Sequence, residues 1–104
     1  MNDDIGNTRR FALHSSEVFG IDLEYNKYFA CLHLPYVNFF SKDALKEGLY
    51  VYEDICVFLK DMGYPVVYLA TDKDNPFIHK LCERMIKAEC LGSDEEFKIY
   101  RKVL

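Results

Sequence analysis

The chain has 104 residues, half of them hydrophobic and 29% charged, with a formal net charge of −4. That length holds one domain with a modest core, and the mildly acidic balance makes nucleic-acid binding an unexpected role. No apolar run is long enough to span a bilayer, and the start, MNDDIGNTRR, lacks the hydrophobic core of a signal peptide, so a cytoplasmic protein with no membrane partner is expected.

Residues 1–10 form a polar segment, with Asp3, Asp4, Gly6 and Asn7, ahead of a single domain over 11–104. Residues 11–14 and 17–23 read as two short strands around Ser15-Ser16, and Tyr25-Asn26-Lys27 is the next turn. Over 28–37 the alternation sets Phe29, Cys31 and His33 against Ala30, Leu32 and Leu34. Both faces are apolar, which predicts a central strand, and Pro35 predicts a splay or bulge near its end.

A long helix follows, in which Leu45, Leu49, Tyr52, Ile55, Leu59 and Met62 recur at spacings of three and four. Its start lies at Ser41 or just after Gly48; Gly63 closes it and Pro65 prevents its continuation. Residues 66–71 make a buried strand. Asp72-Lys73-Asp74 is its exit loop, Asn75 a helix cap and Pro76 a first helical residue, opening a second helix through Ile78, Leu81, Cys82, Met85 and Ile86. Two strands over 88–91 and 95–103 then flank a Gly92-Ser93-Asp94 turn; the last sets Phe97, Ile99 and Val103 against Lys98, Tyr100 and Lys102.

The resulting order, β-β-β-α-β-α-β-β, predicts an α+β fold: a mixed central sheet with two main helices, the strands at 28–37 and 66–71 running parallel through a crossover. Cys31, Cys56, Cys82 and Cys90 are widely spaced among apolar neighbours and read as buried thiols. His14, His33 and His79 show no metal-ligand spacing, so no metal site is expected. The aromatic residues Tyr25, Tyr28, Phe39, Phe40, Tyr50 and Tyr52 are candidates for a partner-binding surface, with plain core packing as the other source of so many rings.

The central strand, the long helix ending in Gly63, the strand ending Thr71-Asp72 and the helix opened by Asn75 together resemble the GCN5-related N-acetyltransferase fold over most of 11–104, without its usual N-terminal strand and helices. The best local match is DKDNPFIHKLCER, and small phage-encoded acetyltransferase-like proteins have a comparably abbreviated look. The resemblance implies acetyl-CoA between two splayed parallel strands, its pyrophosphate on backbone N–H groups at the start of the long helix. The family's phosphate motif runs Arg or Gln, two residues, Gly, one residue, then Gly or Ala. Here NFFSKDALKEGLY puts Gly48 at the last glycine but Asp43 and Lys46 at the other two positions; the other register puts Lys42 at the Arg position and Leu45 and Glu47 at the glycines. The family's leaving-group Tyr maps to Cys82, and His33 falls where some members keep a proton acceptor.

The expectation is therefore an acetyltransferase-like domain without phosphate loop or catalytic Tyr, with no cofactor, that acts by binding a protein as a small inhibitor or accessory protein of the sort phages encode. The alternative is an active acetyl-CoA-dependent N-acetyltransferase with a divergent loop, using His33 and Cys82 in proton transfer and Asn38, Lys42, Lys46, Gly48 and Asn75 around the cofactor. A third reading is a structural or virion subunit, or a homodimer paired through an exposed terminal strand.

Overall fold

The structure, a computed structural model, describes residues 7–36 and 41–104. The first two strands are β1 (Arg9–Ser15) and β2 (Gly20–Tyr25), followed by β3 (Ala30–His33), the long helix α1 (Lys42–Asp61) and β4 (Val66–Asp72). A short helix α2 (Pro76–Lys80) then runs into a π-helical turn (Leu81–Ile86), and β5 (Glu89–Ser93) and β6 (Phe97–Val103) finish the fold. The molecule is α+β, one mixed six-stranded sheet with two helices, in the element order expected. The strands lie in the order β1-β2-β3-β4-β6-β5; β3 and β4 are parallel and the other neighbours antiparallel.

One row of side chains organises the core. Leu23, Leu32, Leu69 and Tyr100 are register partners across β2, β3, β4 and β6. All four are buried, and Ile55 and Leu59 of α1 and Ile78, Leu81 and Cys82 of the α2 segment pack on them from the same side. Each such side chain contributes about 1.5–3 kcal/mol when fully buried. Both helices therefore cover one face of the sheet. The other face carries the row Arg10, Glu24, Cys31, Tyr68, Arg101 and Glu89, fixed by the same register and the two-residue period of the strands.

The ends of α1 follow from local chemistry. Ser41 accepts a hydrogen bond from Ala44 N at 3.1 Å, which selects Ser41 over Gly48 as the start. At the other end Gly63, at φ +100°, lets its own N–H reach Lys60 O and that of Tyr64 reach Leu59 O, the double bond of a Schellman stop.

Several boundaries differ from the sequence reading, each for a physical reason. Arg9 and Arg10 belong to β1, because their partners Tyr25 and Glu24 extend β2 to its end. Gly92 sits at φ +142° beside a register shift in β5 and is not in the turn, which Asp94 makes by accepting Glu96 N and Phe97 N at 2.7 Å each. In β6 it is the set with two lysines, Lys98, Tyr100 and Lys102, that faces the helices. Tyr100 donates to Glu83 at 2.5 Å, and the Lys98 and Lys102 ammoniums reach Glu83 and the Ile86 carbonyl at 3.2 and 2.8 Å. The terminal strand is interior, between β4 and β5, so the sheet edges are β1 and β5 and the expected pairing through an exposed terminal strand has no free edge there. Cys31 and Cys82 are buried and Cys56 half-buried, but Cys90 is exposed because it lies on the edge strand. No described helix is long and apolar enough to cross a membrane.

Candidate functional site

The parting of β3 and β4 builds a polar concavity. The two strands pair only through Cys31–Tyr68, Leu32–Leu69 and His33–Ala70. Beyond His33 the chain turns toward β2, where Gly20 N donates to Tyr36 O at 3.1 Å and the Tyr36 hydroxyl donates to Ser16 O at 2.6 Å. A side chain at position 20 would stand 2.7 Å from the Tyr36 ring, so glycine is what permits this crossing. Meanwhile β4 continues to Asp72 alongside β6. The gap left at the carboxyl ends of the two parallel strands is a groove of about 380 Å³ walled by Pro35, Asp72, Asp74, Glu95, Glu96 and Phe97, with Arg10, Lys73 and His33 also lining it.

His33 is 8% exposed and its Nε2 lies 2.9 Å from Glu24 Oε1. The other Glu24 oxygen accepts from the Thr8 hydroxyl at 2.7 Å. The Thr8 and His33 hydrogen bonds hold the Glu24 carboxyl below its usual range. A carboxylate only accepts, so the His33 Nε2–H is the donor of this bond. Next to this pair Arg10 reaches Asp22 at 3.1 Å. The arrangement orients an imidazole beside a groove whose wall is mostly acidic.

No family model, curated protein or solved structure matches the chain.

The residues expected around acetyl-CoA do not converge on a phosphate cradle. Lys42 and Lys46 are exposed on the first turns of α1, but Gly48 lies well inside that helix, where its N–H bonds four residues back. Asp43 occupies the first turn and meets the helix's positive end in place of a phosphate. Asn75 spends its side chain capping α2, accepting from Ile78 N at 3.3 Å. Asn38, Phe39 and Phe40 lie outside the described residues. The space between α1, the α2 segment and the sheet is filled by Phe19, Leu34, Leu45, Leu81 and Cys82 to an apolar cavity of about 40 Å³. Among the described residues, those expected around the cofactor do not form a cradle for it.

Cys82 is 1% exposed in the π-helical turn, and burial, with Glu83 beside it, pushes its thiol up to about 12. That leaves Cys82 a weaker acid than an ordinary thiol and so a poor proton donor to a departing thiolate. The aromatic candidates are scattered. Tyr25 and Tyr28 flank the β2–β3 turn, at the end of the sheet away from the groove, where Tyr25 lines a separate hollow of about 530 Å³ with Arg9, Lys27 and Tyr64. Tyr50 is exposed on α1, whereas Tyr52 is half-buried against the core with its hydroxyl shut off from solvent beside the Cys56 thiol.

Sequence reasoning missed Thr8, Arg10, Asp22 and Glu24. Asp22 and Glu24 alternate with Ile21 and Leu23, which marks them as one face of β2. Only the strand pairing brings that face beside His33 and Arg10.

Proposed function

We propose that the chain is an abbreviated acetyltransferase-like domain that acts in the cytoplasm by binding another protein, as a small inhibitor or accessory protein, without turning over acetyl-CoA. The observation that supports this reading is the missing phosphate cradle: Gly48 lies inside α1, Asp43 sits on its first turn and Asn75 is spent on capping α2. The chemistry of the partner follows from the groove at the end of β3 and β4. Four carboxylates, Asp72, Asp74, Glu95 and Glu96, line it against Arg10 and Lys73, and Arg10 is already paired with Asp22. Pro35 and Phe97 add apolar surface. A Lys- or Arg-rich segment of a partner protein is the complement of such a wall. The oriented His33–Glu24 pair favours a second reading, an N-acetyltransferase with a divergent cofactor loop.

The test is titration of a synthetic Arg- and Lys-rich peptide by calorimetry. The expected result is saturable binding that weakens as salt rises and falls several-fold in the Glu95→Gln/Glu96→Gln variant. Equal binding by wild type and variant, or no binding at low salt, would remove the groove as the partner site.

A further inference from the structure

Both helices pack on one side of the sheet, so among the described residues the opposite face carries no covering helix or strand. Its centre is apolar. Phe29, just ahead of β3, lies there with Cys31, Tyr68 and Ala70 of the middle strands, and the Phe29 and Tyr68 rings meet edge to face at 6.5 Å. Its flanks are charged. On the β1–β2 side are Arg10–Asp22 at 3.1 Å and His33–Glu24 at 2.9 Å, and on the β6–β5 side is Arg101–Glu89 at 2.6 Å. An apolar middle with a polar rim is the anatomy of a protein interface.

The order of the charges selects the occupant. The register sets Arg10, Glu24, Cys31, Tyr68, Arg101 and Glu89 in one row across the six strands, so the signs read plus, minus, neutral, neutral, plus, minus. Reversed, the row is its own complement. Two identical copies packed face to face have their two-fold axis in the plane of contact. With that axis along the strands, between β3 and β4, the strand order of the second copy is reversed: Arg10 meets Glu89, Glu24 meets Arg101 and Cys31 meets Tyr68. With the axis across the strands, each strand meets its own copy, and Arg10 faces Arg10 and Glu24 faces Glu24. The charges therefore favour the first arrangement, which is also the aligned packing of two sheets.

We infer that this face binds a second copy of the chain, in a two-fold dimer of aligned sheets with Arg10–Glu89 and Glu24–Arg101 contacts between copies. The charged side chains are already held by partners within their own copy, so joining them into larger clusters fixes little that was free. The face is roughly 24 Å across and 20 Å along, about 1,000 Å² over two copies, which is the size of weak, reversible complexes. The dimer does not rest on a basic partner at the acidic groove.

The test combines sedimentation equilibrium of the intact chain with a zero-length carbodiimide crosslink. Wild type should show a monomer–dimer equilibrium. Glu89→Arg/Arg101→Glu keeps the ion pair within each copy but sets like charges against Arg10 and Glu24 of the other, so it should weaken the dimer about tenfold or more. It leaves Asp72, Asp74, Glu95 and Glu96 unchanged, and circular dichroism checks that it is folded. In Arg10→Lys the new amine should crosslink to Glu89 of the second copy. The two positions lie on opposite edges of the sheet, about 24 Å apart within one copy, so that link forms only between copies. A monomer at every concentration, a dimer that the charge exchange leaves unchanged, or a dimer without this crosslink would overturn the inference.

Discussion

The polar chemistry of the molecule is concentrated at Glu24. It accepts from Thr8 and His33 on the open sheet face, and those bonds favour its charged form. Because the folded value lies below the ordinary 4.5, the stability this carboxylate supplies is complete above the unfolded value and is lost as the pH falls through the depressed folded value. Glu24→Gln should therefore cost stability at neutral pH, on the order of 1 kcal/mol for a partly exposed group, and should lessen the loss as the pH falls below 4.5. Urea unfolding of both chains across that range is the measurement; parallel curves would show that the pair contributes nothing to folding. His33 itself was legible in the sequence as a residue on a central strand. Its partner was not, since nothing local says that β2 pairs with β3 in the register that sets Glu24 beside it.

Among elements, α1 and the turn after it were the most legible, because Ser41, Gly63 and a three-and-four spacing of apolar residues each act locally. The α2 segment was legible in its start and not in its course. Asn75 and Pro76 open it as expected, but after Lys80 it widens into a π-helical turn that keeps Leu81 and Cys82 buried while Glu83 receives the Tyr100 hydroxyl. It ends on Lys87 at φ 60°, a left-handed position where Ala88 N returns to Cys82 O at 2.9 Å. A side chain there costs what glycine avoids. Lys87→Gly should raise stability by up to about 1 kcal/mol in urea denaturation, and a loss of stability would contradict the left-handed cap. The strand β6 misleads by composition: its two lysines face the helices because their stems pack and their ammoniums reach Glu83 and the Ile86 carbonyl.

At the scale of the whole molecule, a parallel β3–β4 pair joined through α1 was readable from the order of elements alone. The placing of β6 between β4 and β5 was not, since an antiparallel hairpin can add to a sheet by either strand. That placing leaves two helices on one face, ion pairs on the other, and an acidic groove where β3 leaves β4. We propose that this scaffold binds a protein and does not hold acetyl-CoA. Calorimetric titration with acetyl-CoA tests it most directly: no binding at millimolar cofactor is the predicted result, and saturable binding in the micromolar range would contradict it.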